Sequence, residues 1–149
     1  GSNMTARENM AYVADILAGY SMSICGTTSH HIIAQTIGGL FPNIAHGLTL
    51  LFVAEEYYKK VGTLRPELID ELGGFMGIED CHNGTGFVNG LTALMDKTGC
   101  RHMSMSEYGI KPADLAKIAE MTVDNTGIEW EKYTLTKQDI LEILEKSYR

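Results

Sequence analysis

The sequence predicts an all-α protein, a bundle of about six or seven helices. Apolar residues recur at three- and four-residue intervals along most of the chain, as they do on one face of a helix. Helix-starting and helix-ending residues stand at the edges of these segments, and strand signals are weak throughout. Because 149 residues suffice for one hydrophobic core, we expect a single domain over residues 4–149. Gly-Ser-Asn before Met4 is typical of a leader left by cloning.

The first helix is predicted to begin at Thr5, because Thr5 and Glu8 fit the S/T-x-x-E capping box. Its apolar face follows helical spacing until Gly26, and we expect this face to pack in the core. The face consists of Val13, Ile16, Leu17, Tyr20 and Ile24.

Capping residues and prolines predict where the remaining helices begin. Ser and Thr side chains accept hydrogen bonds from the first free amides of a helix, and proline is favoured at its first position. The predicted first residues are His46, Pro66, Phe87 and Pro112, and the predicted caps of two further helices are Ser29 and Thr136. The second helix is expected to end at Gly38 and Gly39, before Pro42. Leu135 and Ile140 occupy the two positions of a hydrophobic staple around the last helix start.

Charge and cysteine content exclude several classes of protein. A net charge of -7 and a pI near 5.1 leave no basic stripe for a phosphate backbone, so we expect no nucleic-acid partner. Three widely spaced cysteines predict no disulfide framework and favour the cytoplasm. No apolar stretch reaches the ~20 residues of a membrane-spanning helix, so we expect no membrane partner.

The segment from Ile16 to Ala54 contains no Asp, Glu, Lys or Arg, yet it keeps three histidines, His30, His31 and His46. We expect this segment to be buried on most sides, since an unpaired charge there would be costly. A glycine turn after His31 allows the chain to reverse and bring His46 alongside it. Neutral imidazoles in such a pair suit Zn, Fe, Cu or Ni, whereas the alternative is that each histidine is a hydrogen-bonded core residue.

Two other segments are weaker candidates for sites. Cysteine and histidine are the usual ligands of zinc, but the spacing of Cys81, His82, Cys100 and His102 is not that of a zinc site. The glycines of "NGTGFVNG" resemble a phosphate-binding loop, but no predicted strand precedes them.

The residues around the histidines resemble a known family. "ARENMAYVADILAG", "HHIIAQTIGG" and "AHG" before an apolar helix resemble the C-terminal helical domain of iron-containing (group III) alcohol dehydrogenases, the dehydroquinate synthase-like α domain. "TALMDKTGC", "YGIKPADLAKIAEMTVDN" and "YTLTKQDILEILEKSY" resemble that domain's closing helices. The resemblance implies a metal-dependent oxidoreductase of alcohols and aldehydes, with Fe or Zn as the metal and NAD(P) as cofactor. His31 and His46 match two of the family's four metal ligands.

The sequence also departs from the family. Gln35 stands where the family has a second histidine, often assigned to proton transfer, so we assign no catalytic residue. The other two metal ligands and the dinucleotide-binding domain are absent from this chain, so we expect weak or absent metal binding by this chain and no cofactor-binding residue in it. We therefore expect a truncated or split alcohol dehydrogenase, inactive alone, that joins a complementary nucleotide-binding chain or self-associates as a homo-oligomer. The alternative is a non-catalytic helical binding or oligomerisation module.

Overall fold

The computed structural model describes residues 1–124 and 134–149, and helices are the only regular secondary structure in these two ranges. Asn125, the last residue of the motif "YGIKPADLAKIAEMTVDN", and Tyr133, the first residue of "YTLTKQDILEILEKSY", lie outside the described residues. Met4–Ala11 (α1), a π-helical segment Tyr12–Ala18 and Gly19–Cys25 (α2) follow one another without a break. We call these three elements the N-terminal rod. The other helices are Ser29–Leu40 (α3), His46–Leu64 (α4), Pro66–Phe75 (α5), Gly86–Thr98 (α6), Pro112–Val123 (α7) and Lys137–Ser147 (α8).

If the rod is counted as one helix, the described residues form seven helices, which confirms the predicted fold class. Helix α4 lies at the centre, where it packs against α3, α5, α6 and α8, and α7 joins α3 to α8. Its buried residues include Phe52, Val53, Tyr57 and Val61. The core around them consists mostly of branched aliphatic residues. Every helix from α3 to α8 contributes to it, whereas the rod contributes no buried residue.

Several helix boundaries follow the predicted signals. Pro66 and Pro112 begin α5 and α7, and the Thr136 hydroxyl accepts a hydrogen bond from the amide of Asp139 at 3.2 Å. Leu135 and Ile140, the two predicted staple residues, are both fully buried.

Other boundaries differ from the prediction. The first helix is capped by Asn3, whose side chain accepts from the Ala6 amide at 3.0 Å, so it begins at Met4 and the Thr5 cap is wrong. Thr28, not Ser29, precedes α3, because the Ser29 hydroxyl lies inside the core and hydrogen-bonds the Tyr57 hydroxyl at 2.8 Å. The helix also continues through both glycines to Leu40.

The predicted burial of the first helix is wrong. No residue of the rod is buried, and the five residues of its predicted core face are 46–68% exposed. The charge-free segment is therefore exposed in its first third and buried only from α3 onward. Amphipathic spacing shows which face of a helix is apolar, but it does not show that this chain supplies the surface that covers it.

Close backbone contacts between glycines hold α4, α5 and the start of α6 together. A Cβ on Gly62 would lie 2.2 Å from the carbonyl oxygen of Gly84, and one on Gly73 would lie 2.3 Å from the carbonyl carbon of Gly86. Gly84 also has a φ of 74°, a conformation that other residues rarely adopt. Among the described residues, no helix is long and apolar enough to cross a membrane.

Candidate metal centre

His31 and His46 come together where α3 and α4 meet. His31 lies in the first turn of α3 and His46 is the first residue of α4, and the turn between the helices reverses the chain. The two imidazole ring centres are 5.3 Å apart, with the ring planes tilted by 50°. The structure therefore places the two predicted metal ligands side by side.

This spacing fits a shared metal ion. Two imidazoles that ligate one tetrahedral ion at metal–nitrogen distances of about 2.1 Å have ring centres roughly 5 Å apart. Neither ring makes a hydrogen bond to another described residue, so no residue in the described ranges occupies their ring nitrogens. His46 is exposed and His31 is half-buried, which gives an ion access from solvent.

The surroundings of His31 also favour the protonation state that a metal ligand needs. Partial burial lowers the pKa of His31, and the neighbouring His46 lowers it further, because two positive charges at this distance repel. A lowered pKa keeps the His31 imidazole neutral at pH 7, and only a neutral imidazole binds a metal. No third ligand joins them, since the described residues contain no group of three His, Cys, Asp or Glu side chains placed to hold a metal.

His30 belongs to the core beside this pair. Its ring stacks on Tyr57 with ring centres 4.8 Å apart and planes 18° apart. Its Nε2 lies 3.1 Å from the backbone carbonyl of Leu50, which can only accept, so Nε2 carries the proton. The Tyr58 hydroxyl then donates to Nδ1 over 3.4 Å. His30 thus joins the start of α3 to the middle of α4.

Burial dominates the ionisation of this group of side chains. It lowers the pKa of His30 to about 4, against the raising effect of the hydrogen bond to Leu50. It also raises the pKa of Tyr58 to about 12, so the phenol keeps its proton and can donate it to His30. For His30, the interpretation as a hydrogen-bonded core residue is therefore correct.

Gln35 lies one helical turn after His31 and is exposed. Residues four apart in a helix share a face, so the Gln35 amide lies on the same side of α3 as the His31 ring. It can orient a bound group by hydrogen bonding, but it cannot exchange a proton at neutral pH.

The two weaker candidate sites have structural explanations. The Asp70 carboxylate accepts from the amides of Gly84, Thr85 and Gly86 at 2.9 Å, 3.0 Å and 3.0 Å, so the glycine loop holds an internal anion and not a phosphate. These hydrogen bonds, led by the one from Gly84, lower the pKa of Asp70. The thiol of Cys81 donates a hydrogen bond to the carbonyl of Ile78 at 3.0 Å. Cys81 forms no metal-ligand cluster with His82, Cys100 and His102.

A buried ion-pair group was not predicted from the sequence. Glu55 of α4 is only 9% exposed and accepts two hydrogen bonds from Arg101, at 3.0 Å and 3.1 Å. Lys59 binds the same carboxylate at 2.8 Å. The i,i+4 spacing of Glu55 and Lys59 predicts their pairing, but nothing local to α4 indicates that Arg101 completes the group.

Comparisons with known proteins identify the family of this chain. Residues 1–148 match the model of the Fe-containing alcohol dehydrogenase family, C-terminal. The 1,3-propanediol dehydrogenase of Citrobacter freundii is 26% identical over 157 aligned residues, which span 99% of this chain and 39% of that protein. The enzyme of the same name from Klebsiella pneumoniae is 29% identical over 132 residues, 83% of this chain and 32% of that one.

Solved structures show the same fold. The archaeal alcohol dehydrogenase ADH/D1 from a Red Sea brine pool superposes with a TM-score of 0.85 at 27% identity, over 98% of this chain and 38% of that one. A 1,3-propanediol oxidoreductase superposes with a TM-score of 0.87 at 24% identity, over 99% and 39%. The chain thus spans about two fifths of these relatives' length. It belongs to the Fe-containing alcohol dehydrogenase family and corresponds to that family's C-terminal helical domain.

Proposed function

We propose that this chain is the metal-binding helical half of an iron-type, NAD(P)-linked alcohol or aldehyde oxidoreductase. The observation that carries the proposal is the 5.3 Å approach of His31 and His46. Two imidazoles at this spacing, open to solvent and without hydrogen-bond partners among the described residues, provide two positions of a metal shell.

The family implies a divalent metal, and the donor set supports it in part. His31 and His46 would hold the ion, which supplies Lewis-acid polarisation of a substrate oxygen when it is bound. Imidazole suits Fe and Zn alike, so the pair does not by itself select one of them. A catalytic ion needs about three protein ligands, and the missing donors and the NAD(P) site would come from the rest of the enzyme.

That division predicts little or no activity for the chain alone. The relatives are about two and a half times as long, and we propose that a complementary nucleotide-binding chain supplies what this one lacks. Gln35 fits a weakened proton transfer, since an amide can position a substrate hydroxyl but cannot accept its proton.

A second candidate function is a non-catalytic binding or oligomerisation module derived from the same domain. The exposed N-terminal rod favours it, because an apolar helix in water is a surface for another protein. Gln35 favours it as well, since a chain that has lost the chemistry does not need an acid–base residue there.

A chimera separates the two functions. Residues 4–149 of this chain replace the matching part of the Citrobacter freundii 1,3-propanediol dehydrogenase. The purified chimera is loaded with Fe²⁺ and assayed for reduction of aldehydes by NADH or NADPH. We expect turnover that His31→Ala abolishes and that Gln35→His raises. A folded chimera that binds Fe²⁺ and the nicotinamide cofactor but shows no turnover, even with Gln35→His, would overturn the oxidoreductase proposal.

A further inference from the structure

The loop that leads into α6 contains two neighbouring residues that can react with each other. Asparagine loses its side-chain amide most readily when glycine follows it, because glycine has no side chain to hinder the approach of its backbone nitrogen. This order occurs twice in the chain, at Asn83 with Gly84 and at Asn89 with Gly90. Asn89 lies within α6, where its own amide donates to the Thr85 carbonyl at 3.0 Å. Only the first pair lies outside a helix.

The reaction is an internal displacement that needs no reagent other than water. The backbone nitrogen of Gly84 attacks the side-chain carbon Cγ of Asn83, and the new bond closes a five-membered succinimide ring. The bond from Cγ to Nδ2 breaks, and Nδ2 leaves as ammonia with the proton that the Gly84 nitrogen gives up. Water then opens the ring at either of its two carbonyl carbons, which leaves aspartate or isoaspartate, and no atom is oxidised or reduced.

Asp70 of α5 holds the attacking nitrogen. Its carboxylate accepts the amide hydrogen of Gly84 at 2.9 Å, and a negative charge at this distance opposes the formation of an amide anion. The amides of Thr85 and Gly86 bind the same carboxylate at 3.0 Å each, which fixes three consecutive residues of the loop. These hydrogen bonds, led by the one from Gly84, lower the pKa of Asp70, so the carboxylate is a poor base for the amide proton.

Packing fixes the same part of the backbone. Gly84 is buried, and a Cβ on it would lie 2.2 Å from the carbonyl oxygen of Gly62 in α4, so its peptide group cannot turn without moving that helix. Asn83 has a φ of 56°, a left-handed conformation that asparagine adopts more readily than most residues. Its side chain is exposed to water. The reactive amide is thus accessible, whereas the nitrogen that must attack it is held in place.

We propose that Asn83 is a site of spontaneous deamidation that the folded protein keeps closed through Asp70. When the loop leaves Asp70, the Gly84 nitrogen becomes free to attack, so the modification records the opening of the loop. Refolding does not reverse it, because isoaspartate lengthens the backbone and either product adds a negative charge next to the amide that Asp70 binds. His31 and His46 take no part, so the proposal stands apart from the metal site.

Peptide mapping by mass spectrometry measures the deamidation of Asn83 over time, in the folded chain and in a synthetic peptide of residues 79–87. We expect the folded chain to react at least about tenfold more slowly than the peptide. Asp70→Asn should raise the rate at Asn83 at least about fivefold, because the charge that opposes the amide anion is lost. The matched control Asp80→Asn, which removes a charge closer in sequence, should leave the rate unchanged.

Asn89 distinguishes opening of the loop from unfolding of the whole chain. Its rate in the same samples reports the unfolding of α6 and should not change in Asp70→Asn. If that variant unfolds and both asparagines react, hydrogen exchange of the Gly84 amide in the unaltered protein decides, and it should be at least about tenfold slower than in the peptide. Exchange as fast as in the peptide overturns the proposal.

Two other results also overturn it. One is a folded, unaltered chain in which Asn83 deamidates as fast as in the peptide. The other is a folded Asp70→Asn protein whose rate at Asn83 rises no more than that of Asp80→Asn.

Discussion

The imidazole rings of His31 and His46 lie 5.3 Å apart, although they belong to different helices and neither is held by a hydrogen bond to another described residue. Their positions are set from outside the pair, by the α3–α4 packing and by His30, which stacks on Tyr57 and hydrogen-bonds Leu50. The pair is consequently open to a ligand, whereas His30 is partly buried and Tyr57 is fully buried. This is the arrangement expected of a binding site built on a rigid scaffold.

Two adjacent glycines of α5 should respond in opposite ways to alanine. Gly73→Ala places a Cβ 2.3 Å from the backbone of Gly86 and should lower the free energy of unfolding by at least about 3 kcal/mol. Gly74→Ala meets nothing within 4 Å and should raise it, by up to about 1 kcal/mol, because alanine restricts the unfolded chain. Urea denaturation measures both values. Equal effects of the two substitutions would contradict the close contact between α5 and α6.

Asp70→Asn should lower the melting temperature, because the change removes the charge that three loop amides share and turns an amide donor toward them. The matched control is Asp80→Asn, which removes an acidic residue from the same loop region. The exposed carboxylate of Asp80 forms an ion pair only with His82 among the described residues. Calorimetry compares the two variants. A shift from Asp70→Asn no greater than that from Asp80→Asn would show that the loop does not depend on the carboxylate.

Acid should weaken the α4–α8 contact through Asp139. The hydrogen bond from Lys60, 2.6 Å away, holds the pKa of Asp139 at about 2, below its usual 3.8. A carboxyl with a lowered folded-state pKa contributes stability that is complete above about pH 5 and is lost as the pH falls toward 2. The contribution is about 2 kcal/mol, and denaturant unfolding between pH 7 and pH 2 measures it.

Asp139→Asn should remove this part of the pH dependence and leave the rest. Asp114→Asn is the control, because Asp114 occupies the same capping position at the start of α7 without a basic partner among the described residues. The account is wrong on this point if both variants flatten the acid limb of the stability curve equally.

His30→Phe should lower both the stability of the core and the Zn²⁺ affinity of the His31–His46 pair. Phenylalanine keeps the stacking on Tyr57 but loses both hydrogen bonds, which should cost about 1–2 kcal/mol of unfolding free energy. It should also weaken Zn²⁺ binding several-fold, because α3 then loses its side-chain link to Leu50 of α4. His102→Phe, at an exposed position in a short turn, should change neither quantity. A His30→Phe protein with reduced stability but unchanged Zn²⁺ affinity would limit His30 to a structural role.

Local signals in the sequence were sufficient to predict the fold class and most helix boundaries. Pro66, Pro112 and Thr136 act on the few residues next to them, so their meaning does not depend on the rest of the chain. The convergence of His31 and His46 also follows from local spacing, because one short turn separates their helices.

The errors concern features that depend on distant parts of the chain. The apolar face of the rod predicted burial, but burial requires a neighbour that no local pattern reveals. The role of His30 depends on Leu50 and Tyr58 of another helix, and that of the glycine loop depends on Asp70, fourteen residues away. Such contacts are set by tertiary packing, and residue spacing alone does not specify them.

Metal binding to the isolated chain tests the central claim most directly. Zn²⁺ is titrated by calorimetry into protein freed of metal with a chelator, and the same titration is run on His31→Ala, His46→Ala and the control His102→Ala. Because only two ligands are present, the account predicts weak binding of one Zn²⁺ per chain, affinity at least tenfold lower in each of the first two variants, and no change in the control. Equal affinity in all four proteins would contradict the assignment of His31 and His46 as metal ligands.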